Sequence, residues 1–507
     1  MASKPTQPAL IGDLPLGTPA PGEGLQRWLH GALRRAILDG RLPANSILPS
    51  TRSLALQHGL ARGTVQAAYD QLMSEGYLLT RPGSGTRVSH SLPDLALHAG
   101  PAPRRMGNGA PGAPAHPATP TGPWLQRLAG LEPAFPLGAA RSGNTPPQPF
   151  APHRCDVRAF PIDLWRQLHA RQLRPSRLHT LWDGDPAGLL ALRQAIAAHL
   201  AIARGVAVSA AQIVVVGSVQ QALDLCTRLL LAPGDAVWME DPGYPGARQI
   251  LLAAGAQVVD VPVDADGLRV ADGMRLAPQA RLACVTPSRQ APLGVALSPE
   301  RRLALLRWAT EHQACIFEDD YDSEYRFVAQ PIPALASLPG AAAHVVLAGT
   351  FSKLLFPALR LAYVALPLHL VEPFQRAASL TARHANGLAQ AVLADFVADG
   401  HFDRHVRRMR KIYAARAAAF EQAAHTHWRG LIEVPTVQAG LDVVGRLVGM
   451  DEATAVKRLA QAGITAAPLG RYTSSHCVGQ GLVMGFAPFD EAAIEQAARQ
   501  MAVALRR

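Results

Sequence analysis

Apolar residues recur at two different periods along this chain, and the change of period marks its parts. From 26 to 38, Trp28, Leu29, Leu33, Ile37 and Leu38 return at helical spacing, and Asp39-Gly40 stops the run. Ser50 stands where a helix N-cap belongs, ahead of Leu54, Ala55 and Leu56, which the same spacing turns inward. After a break at His58-Gly59, a third helix over about 63–75 carries Val65, Ala68, Tyr69, Leu72 and Met73. Residues 76–88 then form two short runs around the tip Gly83-Ser84-Gly85, which predicts a hairpin. Three helices followed by a hairpin predict a winged helix-turn-helix.

The pattern lapses over residues 90–148, which are rich in Pro, Gly and Ala, apart from one short helical signal at Trp124-Leu125-Gln126-Arg127-Leu128. This stretch reads as a linker that sets reach between domains and carries no chemistry. From about 149 to the end, strand-like runs alternate with amphipathic stretches, the signature of a mainly parallel sheet with flanking helices. The runs at 212–216, 236–239, 283–285, 315–318 and 344–348 predict buried strands, and 188–203 and 490–505 predict helices, the last completing a smaller subdomain. The chain thus divides into 22–89, 90–148 and 149–507, an α/β protein with a separate N-terminal module.

Composition narrows the picture. The 507 residues with 49% apolar content can fill more than one core. Lys+Arg 49 against Asp+Glu 38 gives +11, which favours a polyanionic partner without naming it. The five cysteines are scattered without metal-ligand spacing, so reduced thiols and no metal site are expected. Residues 1–21 lack an apolar signal core, and no later run is long and charge-free enough to span a bilayer. A cytoplasmic protein with no membrane partner is the expectation.

Two segments carry chemistry. In Gly349-Thr350-Phe351-Ser352-Lys353, a lysine follows a buried strand, with Arg360 seven positions on (353 to 360). Desolvation can remove its proton and let it form a Schiff base, while Thr350, Ser352 and Arg360 hold a phosphate. Amine, aldehyde and phosphate together point to pyridoxal 5'-phosphate. Thirty-four positions upstream (319 to 353) a strand ends in Glu318-Asp319-Asp320-Tyr321. Asp319 at such a strand end can keep a pyridine nitrogen protonated, with Asp320 as the choice if the register is off by one, and Tyr321 can reach the phenolic oxygen. Ser218, Val219 and Gln220 open a helix whose amides can take a phosphate, and Tyr244 offers a ring to stack on a cofactor. Each segment alone reads equally as a solvated loop or strand end; their combination at this spacing does not.

In the N-terminal module, Arg62, Thr64 and Gln66 lie on the third helix, where Arg pairs with guanine and Gln with adenine in a major groove. Arg52 and the wing between Arg81 and Arg87, with Gly83 and Gly85 at its tip, can meet phosphates. Double-stranded DNA is therefore the expected polyanion.

The motifs Leu48-Pro49-Ser50-Thr51-Arg52, Arg62-Gly63-Thr64-Val65, Ala68-Tyr69-Asp70-Gln71-Leu72, Glu75-Gly76-Tyr77 and Gly83-Ser84-Gly85-Thr86 resemble the GntR-type winged helix. The later segments, in their order, resemble fold-type I pyridoxal-phosphate enzymes of the aspartate aminotransferase class, with large and small subdomains. The whole chain from about residue 25 resembles the MocR (GabR-like) family of transcriptional regulators. That resemblance implies Lys353 as the Schiff-base lysine, Asp319 on the pyridine nitrogen, Tyr321 on the phenolic oxygen and Tyr244 stacked on the ring. It also implies Ser218, Val219, Gln220, Thr350, Ser352 and Arg360 around the phosphate, and a homodimer that binds paired half-sites.

Three positions depart from the pattern. Ala61 replaces the usual serine before the recognition helix. Val483 stands where such proteins often carry an arginine for a substrate carboxylate, and Arg289 stands in a loop that usually reads Ser-His-Gln. Arg289 either supplies the missing charge or faces solvent. The expected function is a DNA-binding regulator that senses an amine or amino-acid effector by aldimine exchange at Lys353, the alternative being an active aminotransferase with an accessory DNA-binding domain.

Overall fold

A computed structural model of the chain describes residues 16–20, 22–81, 85–90, 122–131, 148–177, 182–327, 332–476 and 478–506. It divides into two units, Met1–Ala118 and Thr119–Arg507.

In the first unit, α1 (Leu25–Leu38), α2 (Thr51–His58) and α3 (Arg62–Ser74) precede the antiparallel pair β1 (Leu78–Arg81) and β2 (Gly85–Val88). Ser50 caps α2 by accepting the Ser53 amide at 3.1 Å, and Gly59 ends it at φ 64°, a left-handed conformation that glycine adopts without cost. Trp28, Leu29, Leu33, Leu54, Val65, Tyr69 and Leu72 close one core. Leu56 does not join it. Expected to point inward, it is 78% exposed, because an eight-residue helix spans about two turns and only Leu54 and Ala55 fall on its buried stripe. Gly83 lies outside the described residues.

In the second unit the strands are β3 (Ile213–Val216), β4 (Ala236–Asp241), β5 (Gln257–Asp264), β6 (Gly267–Leu268), β7 (Leu282–Val285), β8 (Cys315–Asp320), β9 (Val345–Thr350) and β10 (Ala362–Ala365). They form one sheet in the order β3-β10-β9-β8-β7-β4-β5-β6. Only β10 and β6 run against the rest. Helices cover both faces, so β3, β4, β7 and β9 are buried throughout; β3 and β7 read in sequence as apolar runs, and β4 and β9 are apolar up to their carboxyl ends. Trp238 on β4 stacks on Trp308 of the helix Pro299–Glu311 with ring centroids 3.9 Å apart, anchoring one layer of helices.

A four-stranded sheet, β11 (Ile432–Glu433), β12 (Asp442–Leu447), β14 (Gly481–Gly485) and β13 (Ala467–Pro468) in that order, makes the smaller subdomain. It packs with the helix Glu491–Arg506 against the long helix His401–His427. The basic stretch of that long helix keeps Arg407, Arg408 and Lys411 exposed, while Arg410 turns in and donates to the Glu324 carbonyl at 2.8 Å. The short helix Pro123–Ala129 is present where the linker carried its one helical signal. It is not free of the domain: Arg127 donates to the Ala253 carbonyl at 2.8 Å, at the end of the helix Pro245–Ala254. Among the described residues no helix is long and apolar enough to cross a membrane, and Cys155, Cys226, Cys284 and Cys315 are buried and unbridged.

Candidate functional site

On the winged helix the side chains that could read DNA stand in solvent. Arg52, Arg62 and Gln66 are exposed and Thr64 is half-buried. Gln66 donates to Asp70 at 2.8 Å, a bond along its own helix that must open before the amide can meet a base. The buried Tyr69 fixes α3 by donating to the Pro49 carbonyl at 2.9 Å, directly before α2. Gly85 begins β2 at φ 75°, and Arg87 reaches the Asn45 carbonyl at 3.2 Å.

In the second unit the candidate residues converge at one edge of the large sheet. Because β3, β4, β7, β8 and β9 are parallel, their carboxyl ends lie together, and Ser218, Tyr244, Arg289, Asp319 and Lys353 each follow or end one of them. Lys353, half-buried, donates from Nζ to the His153 carbonyl at 2.7 Å. Burial pushes its ammonium below the usual lysine range, against the pull of Asp442 and Asp322. Asp319 has an Oδ1 that is buried and bonded to nothing among the described residues. Burial, reinforced by Asp320, Glu240 and Asp322, pushes its carboxyl up to about 7.

The neighbouring aspartate is otherwise engaged. Asp320 accepts from Arg204 Nε at 2.7 Å, with both side chains buried, and Arg204 also donates to Ser288 Oγ at 2.6 Å. Successive strand residues face opposite ways, so only one of the two can look into the site. Oδ1 of each is buried without a partner among the described residues, but Asp320 is tied to the Arg204 guanidinium through its Oδ2.

Around them, Tyr244 precedes the helix Pro245–Ala254, and burial followed by the charge of Asp319 raises its phenol. A Cβ on Gly246 would lie 2.6 Å from the Tyr244 hydroxyl and 2.8 Å from Gln220 Nε2, so these two side chains close over the glycine. Ser218 caps the helix Val219–Leu230 by accepting the Gln221 amide at 3.1 Å. The amides of Val219 and Gln220 belong to the first turn, which has no intrahelical acceptors to offer them. Thr350 Oγ1 accepts the Ser352 amide at 3.1 Å, tightening the turn into Lys353. Arg360 is exposed, at φ 51°, and its charge reaches Tyr244.

Three residues that sequence reasoning missed complete the site. His153 faces Asp442 through Nδ1 (2.9 Å to Oδ2) and Tyr472 through Nε2 (2.6 Å to the hydroxyl). They are 289 and 319 positions from His153, and no local pattern signals such a contact.

Arg289 does not face solvent. It is buried and donates to the Tyr321 hydroxyl at 2.7 Å, to Asp322 at 3.0 Å, to the Ala439 carbonyl at 3.2 Å and to the Asp442 carbonyl. Its loop is held by Glu240, which accepts from Thr286 Oγ1 at 2.6 Å and Gln290 Nε2 at 3.2 Å. Val483 is fully buried on β14, packed with Val444, Ala467, Leu469 and Tyr472.

With this geometry in place, comparison with known proteins gives the lineage. Residues 168–478 match the family model "Aminotransferase class I and II", and residues 25–88 match "Bacterial regulatory proteins, gntR family". The probable rhizopine catabolism regulatory protein MocR of Rhizobium meliloti is 38% identical over 92% of this chain and 90% of its own. The chain belongs to the MocR family of transcriptional regulators. Other relatives of this MocR-family chain include the pyridoxine biosynthesis regulator PdxR of Corynebacterium glutamicum, 30% identical over 95% of this chain and 96% of its own. Among solved structures, the Thermus thermophilus α-aminoadipate aminotransferase LysN matches with a TM-score of 0.65 at 24% identity, covering 71% of this chain and 92% of its own. That likeness shows the fold-type I aminotransferase fold of the second unit, and the gntR match gives the winged helix ahead of it.

The cofactor of this MocR-family fold is pyridoxal 5'-phosphate, and the residues present fit it. A buried carboxylate oxygen without a partner suits a protonated ring nitrogen, and a desolvated lysine suits an aldehyde. When bound, the cofactor supplies an aldehyde for amines and an electron-withdrawing ring.

Proposed function

We propose that the chain is a pyridoxal-phosphate-dependent, DNA-binding regulator whose aminotransferase-like part senses an amine or amino acid by exchange at Lys353. The observation that carries the reading is the buried, unpartnered Oδ1 of Asp319 at the same sheet edge as the desolvated Lys353, in a chain that also bears a winged helix. Asp319 would hold the pyridine nitrogen, Tyr321 the phenolic oxygen and Tyr244 the ring face. Ser218, Val219, Gln220, Thr350, Ser352 and Arg360 would hold the phosphate. Arg52, Arg62, Thr64, Gln66, Gly83 and Gly85 would form the DNA face, acting in the cytoplasm where the DNA is.

The working division is 22–89 for DNA, 90–148 for the linker and 149–507 for the sensor. The sensor works as a homodimer. Trp182 and Leu380 are 78% and 88% exposed, and an ion pair of 3.7 Å between Asp183 and Arg383 brings their segments together. Exposed apolar side chains of this size are what a second subunit covers.

The test is an absorbance spectrum of the purified protein during titration with amines and amino acids, with operator-fragment binding followed in the same samples. One amine shifting both the cofactor band and the DNA affinity supports the reading. Turnover of amino donor and keto acceptor with no effect on DNA replaces it by the second reading, an aminotransferase, for which the same Lys353 and Asp319 would serve.

A further inference from the structure

His153 stands where three parts of the second unit meet. Its backbone is left-handed, at φ 61°, a conformation that costs a residue with a Cβ and persists where the surroundings enforce it. Asp442, the first residue of β12, enforces it. One of its carboxylate oxygens accepts the His153 amide at 2.7 Å, and the other faces Nδ1 at 2.9 Å. The far side of the ring meets the Tyr472 hydroxyl at 2.6 Å, and the carbonyl of the same residue accepts from Lys353 Nζ at 2.7 Å. The Tyr472 carbonyl in turn accepts the Gly243 amide at 2.8 Å, one residue before Tyr244.

We propose that His153 is a positioning residue that passes the bonding state of Lys353 to the small subdomain. The proposal rests on the reading of Lys353 as the cofactor lysine. A lysine released from the cofactor is a free amine in a half-buried place and must find an acceptor there. The His153 carbonyl is that acceptor in the structure. A protonated free amine has three hydrogens to donate, whereas a nitrogen bonded to the cofactor's carbon keeps at most one, so the bond to His153 is made in one state and weakened in the other. The residue that gains or loses it has its amide and ring tied to Asp442 and Tyr472, so the change is carried to β12 and to the turn that holds Gly243. Asp442 also accepts Arg289 through its main chain, which extends the connection to Tyr321.

The experiment is hydrogen exchange on the full-length protein, stripped of cofactor and then loaded with pyridoxal 5'-phosphate, for the wild type and His153→Gly. Glycine suits the left-handed backbone, keeps the carbonyl and the amide, and removes only the ring. In the wild type, loading should change exchange severalfold across residues 438–445 and 470–476. In His153→Gly the cofactor band should form, residues 470–476 should no longer respond, and 438–445, still tied through the retained amide, should respond less than in the wild type. Tyr472→Phe, which removes one bond and leaves the packing, should blunt the response of 470–476 and spare that of 438–445. A wild type whose band forms without any change in exchange overturns the proposal, as does a glycine variant that responds like the wild type. A wild type with no band overturns the cofactor reading of Lys353 and this inference with it, and the spectrum tells the two failures apart.

Discussion

The proposed DNA face and the proposed cofactor site of this chain are built in opposite ways. Arg52, Arg62 and Gln66 stand in solvent on helices that a buried core holds beneath them, and the one bond that Gln66 makes is to a side chain four positions along its own helix. Arg289, Asp322 and Asp442 are buried, and every bond that Arg289 makes is to a group at least 32 positions away. A surface that must slide along a polyanion before finding its sequence profits from long, hydrated, uncommitted side chains. A site that holds a small cofactor in one pose profits from groups whose places are fixed before it arrives. Substitutions in the first region should therefore change binding and leave stability alone, and substitutions in the second should change both.

The largest effect is expected at Lys353. Lys353→Ala should abolish the cofactor absorbance band, and operator binding by the stripped wild type and by the variant should be equal within error. A band that survives in the variant would move the cofactor to another lysine.

Next in size is Arg289→Ala. It leaves the carboxylate of Asp322 buried without its cation, a change worth about 3–5 kcal/mol of stability for a broken buried pair. Burial already pushes Asp322 up to about 7, despite Arg289. A carboxyl raised in the folded state keeps its stability below its unfolded pKa and loses it as pH rises through the folded one. The thermal midpoint of the variant should consequently fall further below wild type at pH 8 than at pH 6. Equal deficits at both would show that the loss comes from packing and not from the orphaned charge.

How much of this contrast was legible in the sequence follows from the distances involved. The cap Ser50, the buried strands and the short linker helix are local facts, set by residues close in the chain, and the pattern showed them. The difference between Asp319 and Asp320 lay beyond any local pattern, because the Arg204 that engages Asp320 is 116 positions away from it. His153, Asp442 and Tyr472 carried no local signal, because their spacing is imposed by the packing of the small subdomain on the large sheet. Leu56 failed for the converse reason: helical spacing named it as core, but a two-turn helix beside α3 has too narrow a buried stripe to include it.

A smaller effect is expected at Arg62. Arg62→Ala should cost about 1–3 kcal/mol of operator affinity if the guanidinium reads a base, and should relax sequence preference at one position. Because the side chain is exposed and holds nothing in the fold, the unfolding free energy should stay within about 0.5 kcal/mol of wild type. A loss equal for every DNA sequence, with a shallower dependence on salt, would instead make Arg62 a phosphate contact.

The smallest effect separates the two regions most cleanly, because it concerns a group the DNA face lacks. Ala61 occupies the N-cap of α3 in an extended conformation (φ −67°, ψ 138°) and gives the first turn no side-chain acceptor, whereas Ser50 gives one to α2. Ala61→Ser should supply that acceptor and stabilise the winged helix by about 1 kcal/mol, visible as a rise of the first unfolding transition of the full-length protein. The same first-turn amides are the ones a DNA phosphate would use, since a helix N-terminus is an anion site. A serine hydroxyl that takes one of them competes with that phosphate. Stability should thus rise while operator affinity stays level or falls slightly, opposite in sign to what a better-ordered recognition helix alone would give. If affinity rises together with stability, the amides are not used by DNA, and Ala61 is simply a missing cap.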